Sequence, residues 1–282
     1  MGQKTNPTIF NLSLKNAEWK SKYIEKNKEE SSLFLYQDIE IRNYLDQVFK
    51  NFGLLIHNCK IEYGQETTTL LVTFFEKKTE TSKFYGEKNK NQELSFKSSK
   101  ELVNHIVNDI VVLNLNLFLR NSAVILKVQN LNQRFAIRIN KSKTNSFEYR
   151  VLLRRFRRFL KTALFKELVK VLFISVSEKN SAKLLAKAIS SYFEKQKKRH
   201  GFVLFLLKHV LEELITSKIS KVNGVKIVIS GRFNGVPRAN KKILKIGQVP
   251  LQSFDSPIDY YEDTSYTPNG TFGVKVWISE KN

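Results

Sequence analysis

The chain has 282 residues with 48 Lys and Arg against 26 Asp and Glu, a formal net charge of +22. Such an excess is larger than solubility requires and indicates a polyanionic partner, with nucleic acid favoured over an anionic membrane surface. The single cysteine, Cys59, excludes an internal disulfide framework and a Cys-based zinc site, and no apolar run approaches the roughly 20 residues of a membrane span.

The N-terminal third begins with a segment that has no sustained hydrophobic period. Residues 1–36 are rich in Lys, Asn and Glu and predict a basic arm that orders against RNA, with Lys4 as a candidate contact. A helix is predicted next, with Asp38 as its N-cap and Gly53 as its C-terminal stop. One face of that helix is apolar: Ile41, Leu45, Val48, Phe49 and Phe52.

Strand patterns follow the first helix. Residues 54–63 and 68–76 are rich in β-branched, leucine and aromatic residues and predict a hairpin around Gly64. Ser98 or Ser99 then caps a helix that runs to about Leu119. Beyond it, residues 123–129 and 134–140 have strand character.

A basic amphipathic helix is predicted within 130–168. Its cations recur at steps of four, three, one and three residues: Arg150, Arg154, Arg157, Arg158 and Lys161. Apolar residues occupy the opposite face: Leu152, Phe156, Phe159, Leu160 and Ala163. A charge run on a helix is often only a solvated face, but the scarcity of nearby carboxylates favours RNA backbone binding over that reading and over membrane binding.

The C-terminal third predicts two helices and a sheet. The first helix starts at Ser177 or Asn180, and the second runs from Phe202 to about Ser217. A strand at 222–230, a long hairpin over 248–259 and a last strand at 272–279 complete the pattern. Together they predict an α/β unit in which two helices cover one face of a mostly antiparallel sheet.

The segment from Ser230 to Trp277 combines glycine-rich turns with cations. From Gly224 to Phe254 it contains six cations and no carboxylate: Lys226, Arg232, Arg238, Lys241, Lys242 and Lys245. Arginine holds a phosphate through two parallel hydrogen bonds, and small turn residues let RNA approach closely. We therefore predict phosphate contacts from Arg232, Arg238 and the three lysines that follow them.

The ordered blocks of this segment resemble the C-terminal domain of the small-subunit ribosomal protein S3 family. The blocks are Gly231-Arg232, Pro237-Arg238-Ala239, Gly247 to Leu251, Ile258-Asp259-Tyr260 and Gly273 to Trp277. Met1-Gly2-Gln3-Lys4-Thr5-Asn6-Pro7, followed by Trp19 to Tyr23, resembles the N-terminus of the same family, which predicts that the chain is complete.

The resemblance implies an α+β fold with a type II KH domain in the N-terminal half. The Gly-x-x-Gly loop of KH domains is missing here, because residues 79–97 are polar and charged and contain one glycine, Gly86. We therefore expect a degenerate KH domain that acts as a scaffold. Either 123–129, which we favour, or 169–177 is its third strand.

The predicted domains follow from these elements. They are an N-terminal basic arm (1–36), a degenerate type II KH domain (37–129), an insertion with the basic helix that could include the last KH strand (130–176), and the S3 C-terminal domain (177–282).

By resemblance, the partners are small-subunit ribosomal RNA, neighbouring proteins of the subunit head, and mRNA at the channel through which it enters. Bacterial members line that channel with cations of one helix, of which Lys208 is retained here. Lys197, Lys198 and Arg199 could substitute from the preceding turn. We expect no membrane partner, no small-molecule substrate and no cofactor.

We predict no enzyme active site. Gly270 to Gly273 fits Gly-x-x-Gly but precedes a strand, so it predicts a hairpin turn. The carboxylates at 255, 259, 262 and 263 could suggest a two-metal nuclease, but solvated or cation-paired carboxylates are the favoured reading. A free KH-type RNA-processing factor is the other alternative.

The composition also bears on the compartment. The chain is rich in Lys, Asn, Ile and Phe and poor in Gly and Pro, a bias typical of a strongly AT-rich gene. It favours an organelle-encoded mitochondrial protein, with a plastid or an AT-rich bacterium as alternatives.

Overall fold

The computed structural model describes residues 5–11, 19–77, 110–119, 123–141, 143–159, 163–196, 200–254 and 256–281. The chain forms two compact units, one over 19–132 and the other over 1–18 and 133–282. Both contain helices and strands, in agreement with the predicted α+β class. No helix in the described ranges is both long and apolar enough to cross a membrane.

The first unit is a four-stranded mixed sheet with helices. Its elements are β1 (Ser21–Lys22), α2 (Glu30–Asn51), β2 (Leu54–Tyr63), β3 (Thr67–Glu76), α3 (Leu113–Phe118) and β4 (Ala123–Asn130); α1 (Pro7–Asn11) precedes them in the chain. The strand order is β1-β2-β3-β4, in which β2 and β3 are antiparallel and both outer pairs are parallel. The predicted hairpin is therefore confirmed.

The core of this unit lies between α2 and the sheet. Leu45, Ile61 and Leu70 are fully buried there. Phe49 of α2 meets Phe74 of β3 edge to face, with ring centroids 5.9 Å apart. The predicted apolar face of the first helix is thus the face that packs on the sheet.

The first helix begins earlier than predicted, at Glu30, within the segment expected to be an extended arm. Asp38 is therefore not an N-cap. Its carboxylate accepts hydrogen bonds from Arg42 Nε at 2.9 Å and from the Ser21 hydroxyl at 2.8 Å. Arg42 also donates to the carbonyl of Cys59 at 2.8 Å, so the pair ties α2 to β1 and β2. The predicted stop is confirmed: Gly53 follows α2 with a φ of +73°.

Strand β4 occupies the place of the favoured third strand, because it extends the sheet beside β3. The alternative strand at 169–177 is wrong, since these residues are helical. The segment at 79–97, where the glycine loop was sought, and the helix predicted from Ser98 up to 109 lie outside the described residues.

The region predicted as an insertion is helical. It contains α4 (Leu131–Lys141), α5 (Lys143–Arg155), a 3-10 turn (Phe156–Phe159) and α6 (Ala163–Ser177). The strand predicted at 134–140 is wrong. Leu131, Phe135 and Ile139 are all buried and recur every four residues, which is the period of a helix rather than a strand.

The C-terminal elements form a four-stranded sheet with helices on one face. They are α7 (Ala182–Lys195), α8 (His200–Thr216), β5 (Val222–Gly231), β6 (Asn240–Gly247), β7 (Ile258–Thr267) and β8 (Gly270–Glu280). The order is β6-β5-β8-β7, and every pair is antiparallel. The sheet was predicted to be mostly antiparallel. Ile227, Ile229 and Val276 are fully buried on the face that α7 and α8 cover.

Two predicted boundaries in this unit are wrong. Helix α7 begins at Ala182 because Ser177 ends α6 and Asn180 takes a left-handed φ of +55°. The long hairpin over 248–259 does not form. The lysine-rich residues 240–247 form β6 instead, and the hairpin joins β7 to β8. The prediction of a turn at Gly270 is confirmed, because Gly270 closes that hairpin with a φ of +121°.

Candidate nucleic-acid interface

The turn that follows β5 depends on Gly231. A Cβ atom at this position would lie 2.3 Å from the Phe272 ring, which is buried in the adjacent strand. Glycine therefore lets β5 run directly over the ring before the chain turns outward. Arg232 then emerges exposed, and its Nε donates to the carbonyl of Val236 at 3.0 Å. The remaining guanidinium nitrogens of Arg232 point to no carboxylate among the described residues.

His200 holds this turn from the inside of the unit. Its Nδ1 accepts the backbone N–H of Asn234 at 3.0 Å, and its Nε2 donates to the Gln196 carbonyl at 2.9 Å. The neutral tautomer with the proton on Nε2 satisfies both bonds. The ring is buried against Phe193 and Phe272, with centroids 5.1 and 5.2 Å away. His200 is thus an anchor that fixes the backbone between Arg232 and Arg238.

The lysines that follow form the edge strand β6. In its antiparallel register with β5, Lys241 lies opposite Ser230 and Lys245 opposite Lys226. Because side chains alternate across a strand, Lys241 and Lys245 share one face and Lys242 lies on the other. All three are exposed, as is Arg238. None of the four forms an ion pair with any residue in the described ranges, so their charges are available to an external anion.

The sheet face opposite α7 and α8, which we call the open face, has mostly exposed side chains. The sequence did not predict that cations and aromatic rings meet on this face. Lys226 Nζ lies 5.0 Å from the centroid of the Trp277 ring, and Tyr260 packs on the same ring at 5.1 Å. Lys275 pairs with Glu262 at 3.2 Å. The alternation of β5 and β8 was the signal that could have placed Lys226, Lys275 and Trp277 on one surface.

The titration of this face follows from its contacts. Burial raises the pKa of Tyr260, and the hydrogen bond that its hydroxyl donates to Glu262 at 2.8 Å raises it further. The same bond, followed by the hydrogen bond from Lys275, lowers the pKa of Glu262. Tyr260 therefore remains a neutral ring with a fixed hydroxyl, and Glu262 remains a carboxylate.

The arginines of the predicted basic helix lie on one exposed surface. Leu152, Phe156 and Phe159 are buried, whereas the arginines of the opposite side are exposed: Arg150, Arg154, Arg157 and Arg158. The two faces are therefore confirmed for these residues, but Ala163, which was assigned to the apolar face, is exposed, and Leu160 lies outside the described residues. The α-helix ends at Arg155, and a 3-10 turn continues it. Lys161 lies outside the described residues.

The basic surface also contacts α8. Arg158 donates to His209 Nε2 at 2.9 Å and lies 4.7 Å from the Phe159 ring centroid. Arg155 pairs with Glu213 at 2.5 Å. These contacts fix the 3-10 turn against α8 and leave Arg150, Arg154 and Arg157 directed to solvent.

Of the candidates for the mRNA path, Lys208 lies among the described residues. Lys208 is exposed on α8 and lies 3.9 Å from Glu212 one turn later, so part of its charge is balanced. Lys197, Lys198 and Arg199 lie outside the described residues, as does Lys4.

The carboxylates considered for a nuclease have structural contacts. Asp259 is buried and accepts the first backbone N–H of α7, from Ala182, at 2.7 Å. Asp263 accepts a hydrogen bond from the Ser190 hydroxyl in the same helix. Asp259 and Asp263 therefore dock α7 on β7. Asp259 is buried rather than solvated, and Glu262 is paired with Lys275, as the cation-paired reading expects. Asp255 lies outside the described residues.

Comparison with known proteins points to one family. Residues 206–278 match the family model described as Ribosomal protein S3, C-terminal domain. The Small ribosomal subunit protein uS3 of Neorickettsia sennetsu is 35% identical over 103 residues, which are 36% of this chain and 46% of that protein.

Other relatives align along nearly the whole chain. The Small ribosomal subunit protein uS3c of Euglena longa is 28% identical over 283 residues, covering 99% of this chain and 100% of that protein. The uS3 protein of Mycoplasma pneumoniae is 24% identical over 99% of this chain and 76% of its own length. By contrast, the alignments with the more identical relatives span 13% to 46% of those proteins.

Proposed function

We propose that this chain is a structural component of the small ribosomal subunit, of the S3 family, and that it binds ribosomal RNA. The family match and the relatives named as small ribosomal subunit proteins support the S3 family and a ribosomal, non-enzymatic role. One observation carries the proposal. The cations at 232–245 lie inside the matched domain, are exposed, and include four with no ion pair among the described residues.

The mechanism is electrostatic. Each lysine or arginine that meets a phosphate releases condensed counterions, which makes binding favourable and dependent on salt. Gly231 and His200 fix the backbone beneath these side chains, so the cations are presented from a rigid turn and an edge strand rather than from a mobile tail. The proposed contacts are Arg232, Arg238, Lys241, Lys242 and Lys245.

The first unit has the elements of the proposed KH-like scaffold. Helix α2 is followed by the antiparallel pair β2 and β3, and β4 then adds to β3 in parallel. We propose that this unit supports the assembly without a glycine-loop clamp, as part of the domain at 37–129. The arm at 1–36, the insertion at 130–176 and the C-terminal domain at 177–282 complete the proposed organisation.

The remaining contacts are proposed by family resemblance and charge. The arginines of the insertion, Arg150, Arg154, Arg157 and Arg158, would contact RNA backbone. Lys208, with Lys197, Lys198 and Arg199, would border the channel through which mRNA enters. Lys4 would contact ribosomal RNA, and neighbouring proteins of the subunit head would complete the surroundings.

We propose an organelle ribosome as the compartment. The lysine-, asparagine- and isoleucine-rich composition favours the mitochondrion, and the uS3c relatives, which are organelle homologues, favour a plastid. Detection of the chain in small-subunit fractions from separated mitochondria and plastids distinguishes them.

Co-sedimentation tests the proposed function. The tagged chain should sediment with small subunits in stoichiometric amount at moderate salt. Replacement of Arg232, Arg238, Lys241, Lys242 and Lys245 by glutamine should release it at a lower salt concentration. A free RNA-processing factor would instead remain near the top of the gradient, which would contradict the proposal. Metal-dependent RNA cleavage that is lost in Asp259→Asn would support the nuclease alternative.

A further inference from the structure

We propose that the open face of the C-terminal sheet binds unpaired RNA, by stacking a base on the Trp277–Tyr260 ring pair and holding the adjoining phosphates with Lys226 and Lys245. The inference rests on the proposed function, since it names the form of RNA that this surface takes. It is a site distinct from the turn at 231–239.

The registers of the four strands place these side chains in one row. Lys245 lies opposite Lys226, Lys226 opposite Trp277, and Trp277 opposite Tyr260. The next row reads Ile243, Val228, Lys275 and Glu262, and the third reads Lys241, Ser230, Gly273 and Thr264. Neighbouring strands are about 4.8 Å apart, so the first row spans about 14 Å, which is roughly the length of four stacked nucleotides at about 3.4 Å each.

The charge of this surface fits a polyanion. The three rows contain four lysines and one carboxylate, and that carboxylate, Glu262, is already paired with Lys275 and Tyr260. Lysines on an edge strand also prevent strand pairing with other proteins. That role accounts for Lys241 and Lys245 on β6, but not for Lys226 and Lys275, which lie on the two central strands.

The aromatic rings indicate unpaired bases rather than a duplex. A four-stranded sheet that presents aromatic side chains is a platform on which proteins stack splayed-out bases. Trp277 and Tyr260 are half-buried, so each keeps ring surface toward solvent. The ammonium of Lys226 lies 5.0 Å from the centroid of the Trp277 ring. When a base stacks on the ring, this ammonium can move from the ring to the adjoining phosphate. Bases within a duplex offer no free π-face for this contact.

A protein partner fits the surface less well. The cores of protein–protein interfaces are depleted in lysine, whereas lysines occupy four of the twelve positions here. An acidic peptide could pair with the lysines but would gain little from the rings. We therefore make an acidic peptide one arm of the test.

Tryptophan fluorescence reports the stacking directly, because the chain has two tryptophans, Trp19 and Trp277. In full-length Trp19→Phe, Trp277 is the sole indole. Addition of a 12-nucleotide single-stranded oligoadenylate should quench its emission. A 12-base-pair RNA duplex at equal phosphate concentration should bind without comparable quenching. Equal quenching by the duplex, or quenching by polyglutamate but not by RNA, would overturn the proposal.

Matched substitutions test the affinity. Trp277→Leu should weaken binding of the single strand by roughly 5- to 150-fold, the range for loss of one stacked base, and leave duplex binding within about twofold. Trp19→Leu, which removes an exposed tryptophan from the other unit, should leave both unchanged. Retained duplex binding shows that Trp277→Leu is folded, and Lys226→Gln provides a second variant that removes no core side chain.

The outcomes separate the two proposals. Unchanged single-strand affinity in both Trp277→Leu and Lys226→Gln would overturn the stacking site while leaving ribosomal co-sedimentation intact. Failure of the wild-type chain to bind either RNA would overturn both the stacking site and the proposed function.

Discussion

Replacing Lys241, Lys242 and Lys245 together by alanine should reduce the salt dependence of RNA binding by a calculable amount. All three side chains are exposed on β6 and form no ion pair among the described residues. If each neutralises one phosphate of a single strand, it contributes about 0.7 to the slope of log affinity against log salt, so the three contribute about 2. Between about 50 and 200 mM salt, the wild-type chain should therefore lose about 18-fold more affinity than the variant.

Filter binding or fluorescence anisotropy over this salt range measures both slopes. The matched control replaces three exposed lysines outside the sheet, Lys166, Lys179 and Lys218, and alters the net charge equally. The control separates local phosphate contacts from the general field of a chain with net charge +22. Equal slopes for the two triple variants would refute the assignment of these contacts to β6.

Three further predictions concern stability and are measured by thermal or urea unfolding. Gly247→Ala should destabilise the chain by about 2 kcal/mol or more. The φ of Gly247 is +69°, and a Cβ there would lie 2.3 Å from a backbone oxygen of β5. The control is Gly201→Ala in α8, where the added Cβ has no neighbour within 4 Å, so it should stabilise the chain by up to about 1 kcal/mol. Asp259→Ala should lower the free energy of unfolding by about 1–2 kcal/mol, because the first amide of α7 loses its acceptor. Asp259→Asn should lower it less because an amide oxygen remains. Equal losses in the two variants would contradict this role. The hydrogen bond from Tyr260 lowers the pKa of Glu262, so this carboxylate stabilises the fold above its unfolded-state pKa. The contribution is lost as pH falls through the folded-state pKa. Glu262→Gln should therefore flatten the acid side of the curve of Tm against pH, and an unchanged acid side would contradict the pairing.

The sequence predicted the elements whose pattern is set locally. The strand pattern in 54–76 is typical of a hairpin, and the apolar face around Leu45 and Phe49 is typical of a helix. Both elements form as predicted. The start of α2 was mispredicted because Asp38 has the chemistry of an N-cap. Only the fold shows that this carboxylate instead accepts hydrogen bonds from Arg42 and Ser21.

Strand β6 was missed for a different reason. Lysine has a low β propensity, so no strand was predicted at 240–247, while 248–259 was assigned the hairpin. Pairing with β5 overrides that propensity, since it satisfies the backbone of an edge strand and keeps the lysines in water. The candidate phosphate contacts therefore stay predictions, and the structure adds that the lysines among them are divided between the two faces of a sheet.

The anchor and the stacking surface could not be found from the sequence because both join residues that are far apart in it. His200 precedes Asn234 by 34 positions, and only the buried hydrogen bond shows that it fixes the turn rather than adding to the basic surface. Lys226, Tyr260 and Trp277 come from three strands and meet only through the registers of β5, β7 and β8. Gly231 brings β5 over Phe272 at the turn in which Arg232 emerges, whereas the register of β5 with β8 places Lys226 beside Trp277. Substitution of Trp277 should therefore affect the stacking site alone, whereas the triple substitution in β6, which removes Lys245, should affect both sets of RNA contacts.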